Sequence, residues 1–161
     1  MDQLYSDGYY ILREFTDTKL WDSSFSCPLV HHGRIASRIA ECIIDLNKIT
    51  GWNAQVSKFR ASASCELTAS NATDAGALHR DIMSYGSELP QVYTLVIYLD
   101  DAYMKVVSGS HKHRKISSID ILTRTKSSIH HMNPGDAIVF HACLLHAGIF
   151  YPIRKSRRVV Q

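Results

Sequence analysis

The sequence lacks several features that would place it in a common class. No apolar run approaches the ~20 residues that a membrane-spanning helix requires. The first ten residues, MDQLYSDGYY, are acidic and aromatic, whereas a secretory signal starts with basic residues and continues with an apolar stretch. No internal repeat, low-complexity tract or linker divides the chain. We therefore expect a cytoplasmic protein without a membrane segment, folded as a single domain over residues 1–161.

The charge balance and the cysteines exclude further classes. A net charge of +3 is too small to indicate a nucleic-acid-binding protein. The four cysteines are widely spaced and form no CxxC motif, so in a chain without a leader we interpret them as buried thiols: Cys27, Cys42, Cys65 and Cys143. Histidine, by contrast, is unusually frequent, with nine residues. That number favours metal chemistry without establishing it.

The hydrophobic pattern predicts one strong helix followed by many short strands. Ile35, Ile39, Ile43, Leu46 and Ile49 recur at helical spacing, which predicts a helix over roughly Gly33–Lys48 that covers a sheet. Ala54–Ala61 alternates like a half-buried strand, and the apolar run Val92–Leu99 is typical of a central strand buried on both faces. Further strands are expected at Lys105–Val107, Ala137–Phe140 and Arg157–Gln161, with a short helix near Thr16–Trp21. The pattern indicates an α+β protein, mainly β, with an antiparallel sandwich or barrel.

A His-x-Asp motif at His79 and Asp81 is the first candidate for metal binding. On extended backbone, residues two apart project to the same side, so the imidazole and the carboxylate can converge on one ion. The motif is short enough to arise by chance, and the alternative is a surface histidine beside a surface acid.

A second histidine, His146, follows an apolar strand 65 residues after Asp81. Two histidines and one carboxylate on one face of an iron ion leave positions open for a 2-oxo acid and dioxygen. The distal carboxylate of such an acid needs a cationic partner, and Arg157 is a candidate because a guanidinium binds a carboxylate in bidentate fashion. The alternative for Arg157 and its basic neighbours is a solvated tail.

The order of these motifs resembles the phytanoyl-CoA dioxygenase family. The matching segments are Asp7–Leu12, His79-x-Asp81, Leu95–Asp101, Val107–Lys112, Gly135–His146 and Arg157-Arg158. The resemblance implies a double-stranded β-helix of the jelly-roll or cupin type, with one or two covering helices near the N-terminus. It also implies Fe(II) as the metal and 2-oxoglutarate as the co-substrate, with ascorbate as a further candidate cofactor.

Carried over residue by residue, the resemblance makes His79, Asp81 and His146 the iron ligands. Arg157 anchors 2-oxoglutarate, Lys155 assists it, and Arg158 is the alternative anchor. Val96 is expected to line the co-substrate pocket, and His141 to support the centre from outside the ligand set.

Two departures from the family pattern affect this prediction. Arg80 replaces the glutamine that relatives often carry between the histidine and the aspartate, and it could repel iron or reach toward a substrate anion. The chain also stops four residues after Arg157, where relatives continue, so we expect either a minimal fold or a piece of a longer chain.

These residues predict an Fe(II)- and 2-oxoglutarate-dependent dioxygenase. It would hydroxylate an unidentified small molecule and release succinate and CO2. One alternative is a catalytically inactive β-helix module that binds a nucleic acid or an acidic partner through the basic segment Arg154–Arg158. Another is an oxygenase acting on nucleic acid, which the modest charge disfavours.

Overall fold

A computed structural model describes residues 2–21, 32–58, 61–65, 78–82, 91–112, 127–149 and 156–161, with the side chains of residues 32–34, 61–65, 156 and 157 outside the description. Within these ranges the helices are α1 (Asp2–Asp7) and α2 (His32–Thr50), with short 3-10 helices at Thr18–Leu20 and Ser110–Lys112. The strands are β1 (Tyr9–Leu12), β2 (Ala61–Cys65), β3 (Tyr93–Tyr98), β4 (Ala102–Val107), β5 (Ser127–Met132), β6 (Ala137–His141), β7 (His146–Ile149) and β8 (Ser156–Val160).

The strands form two antiparallel sheets. The larger sheet has the order β1-β6-β3-β8-β2, and the smaller has the order β5-β4-β7. Val96 and Tyr98 of β3, Phe140 of β6, and Met104 and Val106 of β4 belong to one buried cluster, so apolar residues from both sheets pack against each other. This two-layer arrangement agrees with the α+β, mainly β, fold expected from the pattern.

Helix α2 covers the other face of the larger sheet. Ile35, Ile39 and Leu46 pack in a second buried cluster with Ile97 of β3 and Val160 of β8. The predicted helix is therefore confirmed, with two corrections to its apolar face. Cys42 joins the buried side, and Ile49 is 59% exposed.

β3 is the central strand that the apolar run predicted, but it is not buried along its whole length. Val96 and Ile97 are buried on opposite faces, whereas Tyr93 at its beginning is 37% exposed. Along the rest of the larger sheet, β6 contains the predicted Ala137–Phe140 strand and β8 the predicted closing strand.

The strand predicted over Ala54–Ala61 is wrong. Residues 51–58 form no regular structure, and the strand is Ala61–Cys65, paired with β8. The side-chain amide of Asn47 on α2 accepts a hydrogen bond from Ala54 N at 2.9 Å and donates one to Ala54 O at 3.1 Å. Asn47 thus supplies the partners that a neighbouring strand would offer, and it ties this segment to the helix.

Two of the four cysteines can be assessed. Cys42 and Cys143 are buried free thiols, as expected. Burial, followed by the nearby carboxylates of Asp45 and Glu41, raises the pKa of Cys42 to about 11. Cys27 and the side chain of Cys65 lie outside the described residues. In the part of the chain that the structure describes, no helix has the length and apolarity to cross a membrane.

Candidate metal centre

The two motifs that were predicted to share an ion are joined by backbone hydrogen bonds. His79 N donates to His146 O and His146 N donates to His79 O, both at 3.0 Å, which makes an antiparallel bridge. Ile82 N also donates to Ala142 O at 3.1 Å. These bonds hold the 78–82 segment beside the turn that leads into β7. The imidazole rings of His79 and His146 consequently lie 4.4 Å apart between centroids.

Asp81 completes a cluster of three ligand atoms. Its Oδ1 lies 3.5 Å from His146 Nε2 and 3.9 Å from His79 Nε2, and all three atoms lie within 4.8 Å of one another. Two ligands at right angles on an ion with bonds of ~2.1 Å lie about 3 Å apart. Small side-chain rotations would therefore bring the three atoms onto one ion. The structure brings together all three residues that the sequence proposed as ligands.

His146 and Asp81 are each oriented by a hydrogen bond at the polar atom that does not face the other ligands. His146 Nδ1 donates to Leu144 O at 3.0 Å, which leaves the Nε2 lone pair facing Asp81. Thr94 Oγ1 on β3 donates to Asp81 Oδ2 at 2.6 Å, which leaves Oδ1 facing the histidines. Such outer partners fix ring and carboxylate orientation in metal sites.

The electrostatic environment favours neutral His146. Its burial, with the nearby His79, lowers its pKa, against the opposing effects of the Leu144 carbonyl and the Asp81 carboxylate. A neutral imidazole is the form that binds metals. His79 is 55% exposed at its side chain, whereas His146 is 6% exposed. The cluster is thus open to solvent on the His79 side.

A cavity of about 600 Å³ adjoins the cluster. Asp81 and Thr94 line it, together with side chains of α2, of residues 55–58 and of β3. Its lining is mainly apolar, with Lys58 as a charged group. A cavity of this size can hold a small organic molecule.

A family model described as phytanoyl-CoA dioxygenase (PhyH) matches residues 29–149, about three quarters of the chain. The chain belongs to the phytanoyl-CoA dioxygenase family. A search of curated protein sequences finds no match.

Solved structures agree with the family in fold. The non-heme alpha-ketoglutarate-dependent epimerase SnoN from nogalamycin biosynthesis has a TM-score of 0.66 at 14% identity, with 99% of this chain and 78% of that chain covered. EctD from S. alaskensis with 2-oxoglutarate and 5-hydroxyectoine has a TM-score of 0.65 at 15% identity, with 99% and 72% covered. HygX from Streptomyces hygroscopicus with iron bound has a TM-score of 0.64 at 12% identity, with 99% and 84% covered. The two sheets are those of a double-stranded β-helix, as the resemblance implied.

Of the basic residues that the family resemblance assigned to 2-oxoglutarate, the structure describes the side chain of Arg158 and the backbone of Arg157. Arg158 is engaged elsewhere, because its Nη2 and Nε donate to Asp100 at 2.8 and 3.1 Å and its backbone N donates to Asp100 Oδ2 at 2.8 Å. Arg157 lies on β8 opposite Ser64, but its side chain lies outside the described residues. Lys155 and Arg154 lie outside them entirely. Arg157 therefore stays a prediction, and the pair with Asp100 argues against Arg158.

Val96 and His141 occupy different surroundings. Val96 is buried in the cluster between the sheets, two residues along β3 from Thr94 and so on the same face as that ligand partner. His141 is buried at the end of β6, where its Nδ1 accepts a hydrogen bond from Cys143 N at 3.1 Å. It supports the turn before His146 and is not among the converging ligand atoms.

The other histidines whose side chains the structure describes do not join the cluster. His131 pairs with Asp101, and His130 Nε2 lies 3.1 Å from the Tyr9 hydroxyl. His111 is buried, and its Nε2 donates to Tyr5 O at 3.2 Å. His31 and His113 and the side chain of His32 lie outside the described residues.

Sequence reasoning missed Thr94 and did not foresee the backbone carbonyls that Arg80 contacts. Thr94 carries no motif, and only strand alternation from Val96 places it on the inner face. Arg80 is not among the residues that line the cavity. It donates instead to the carbonyls of Ser110, at 2.8 Å, and of Cys143. This direction follows from extended backbone, because the residue between two that converge faces the opposite side.

Proposed function

We propose that this chain is an Fe(II)- and 2-oxoglutarate-dependent dioxygenase that hydroxylates a small molecule. The observation that carries the proposal is the convergence of His79, Asp81 and His146 beside a cavity, in a member of this family. Two imidazoles and one carboxylate on one face are the ligand set of non-haem iron(II) oxygenases. The donor chemistry therefore fits iron.

Iron(II) with 2-oxoglutarate supplies the oxidation of substrate by dioxygen, in which one oxygen atom enters the substrate and 2-oxoglutarate yields succinate and CO2. The protein's part is to hold the ligands in place and to position the two organic molecules. Leu144 O and Thr94 Oγ1 fix the orientation of the ligands.

For the co-substrate we propose Arg157 as the anchor of the distal carboxylate, with Lys155 assisting. Arg158 is held by Asp100, and adjacent strand residues face opposite sides, so Arg157 is the candidate that remains on β8. Val96 is not among the residues that line the 600 Å³ cavity, but it lies on the same strand face as Thr94, so we keep it as a proposed contact of the co-substrate on the inner side of the sheet.

The test measures succinate formed from 2-oxoglutarate by metal-loaded protein in air, without added substrate. Uncoupled turnover should depend on Fe(II) and should fall to background in Asp81→Ala and His79→Ala. His131→Ala is the matched control, because His131 also lies beside a carboxylate, that of Asp101, but outside the cluster. Equal succinate release by wild type and Asp81→Ala would refute the proposal and would favour an inactive binding module.

A further inference from the structure

Arg80 stands between two of the three proposed ligands and faces away from them. We infer that Arg80 is a positioning residue that fastens the segment carrying His79 and Asp81 to the segment carrying His146. The inference rests on the proposed metal centre but concerns how that centre is assembled. In this arrangement the ligands are held near their binding geometry before an ion arrives.

The contacts of Arg80 end on the two stretches of chain that support His146. Its Nη1 donates to Cys143 O, three residues before His146, and to Ser110 O at 2.8 Å. Ser110 is itself buried, and its Oγ accepts a hydrogen bond from Leu145 N at 2.8 Å. One guanidinium thereby links the 78–82 segment to the turn before β7, both directly and through Ser110.

These contacts add to the backbone bridge on the opposite side of the segment. The backbone hydrogen bonds of His79 with His146 and of Ile82 with Ala142 hold the two ends of the 78–82 segment, and the Arg80 side chain holds its middle. Arg80 attaches the segment at a point outside the bridge. Its loss would also leave the carbonyls of two buried residues, Ser110 and Cys143, without their charged donor, which is costly in a buried site.

The positive charge of Arg80 and its positioning of the ligands predict opposite effects of Arg80 removal on metal affinity. A guanidinium on the residue between two ligands repels a cation, so removing it should strengthen metal binding if electrostatics were its main effect. If Arg80 positions the ligands, removing it should weaken metal binding, because outer partners of metal ligands typically contribute 10- to 100-fold in affinity. The sign of the change therefore separates the two roles.

The experiment titrates metal-free protein with Mn²⁺ and follows free Mn²⁺ by electron paramagnetic resonance. Arg80→Gln should bind Mn²⁺ about tenfold more weakly than wild type. Arg80→Lys, which keeps the charge and a donor, should fall between the two. Arg38→Gln is the matched control, since Arg38 lies on α2, pairs with Glu41 and should leave affinity unchanged. Absorption of the Co²⁺-loaded proteins gives a second readout, with an altered ligand-field spectrum expected only for the Arg80 variants.

Unchanged or tighter Mn²⁺ binding by Arg80→Gln would overturn the inference. If that variant does not fold by circular dichroism, unchanged affinity in Arg80→Lys would overturn it equally. A wild-type protein that binds Mn²⁺ but releases no succinate refutes only the proposed function, and the comparison of Arg80 variants still decides the inference. A wild-type protein that binds no Mn²⁺ refutes both.

Discussion

The hydroxyl of Thr94 offers a direct test of how the ligand set is oriented. It donates to Asp81 Oδ2 at 2.6 Å, while Oδ1 faces the histidines. Replacing Thr94 with valine removes that donor and keeps a β-branched side chain of nearly the same size, so β3 should be undisturbed. The carboxylate would then lose the contact that selects which oxygen faces the metal.

The size of the effect follows from the kind of bond. Hydrogen bonds to charged groups contribute about 1.5–3 kcal/mol. Thr94 is half-buried and the Asp81 side chain is 22% exposed, so water competes and the lower end of that range applies. About 1.4 kcal/mol corresponds to a tenfold change in a dissociation constant. We therefore expect Thr94→Val to bind Mn²⁺ about tenfold more weakly than wild type.

The assay is the Mn²⁺ titration of metal-free protein, with the thermal midpoint measured in parallel. Water can hydrate the released oxygen of Asp81 when no metal is present, so the midpoint should shift by no more than about 2–4 °C. Thr94→Ser, which retains the hydroxyl, is the matched control and should bind like wild type. The reasoning is refuted if Thr94→Val keeps wild-type affinity, or if the serine variant loses as much as the valine variant.

Three further predictions concern the frame around the centre. Gly8→Ala should lower the free energy of unfolding, measured in urea, by about 2–4 kcal/mol. Gly8 has φ +86°, and a Cβ there would lie 2.3 Å from His111 Nδ1 and 2.8 Å from Leu144 Cδ1. Wild-type stability in this variant would contradict the close packing around Gly8. Burial, then the neighbouring His141, lowers the pKa of His111 to about 4. As the pH falls from 6.5 to 4, the imidazole therefore takes up a proton in the unfolded chain before it does so in the folded protein. Stability should therefore fall by up to about 1.4 kcal/mol per pH unit between pH 6.5 and 4, and His111→Gln should flatten that dependence. Asp136→Ala should lower the free energy of unfolding by about 1.5–3 kcal/mol, because buried Asp136 accepts hydrogen bonds from the Glu14 and Asn133 amides and from Arg13; a loss below 1 kcal/mol would show that these bonds contribute little.

Much of the candidate centre could be predicted from local sequence. His79 and Asp81 share a side of the chain because extended backbone alternates, and the structure has them within one cluster. The helix over α2 could be predicted because its apolar residues recur at helical spacing. Both conclusions depend on the backbone within a few residues, which local side-chain chemistry largely determines.

Contacts between residues that are far apart in the sequence could not be predicted from local patterns. The prediction of a strand at Ala54–Ala61 failed because Asn47, on helix α2, hydrogen-bonds to both the backbone N and the backbone O of Ala54 in place of a neighbouring strand. Thr94 has no sequence signal, since its importance comes only from facing Asp81 across the fold.

The sequence by itself determined which residue types were available, in what order, and which of them share a face of a strand. Only the tertiary structure decided that Arg158 is taken by Asp100 and that Arg80 turns to the carbonyls of Ser110 and Cys143. The physical reason is that a hydrogen bond depends on distance in space, and the folded chain brings together residues that are 30 to 63 positions apart in the sequence.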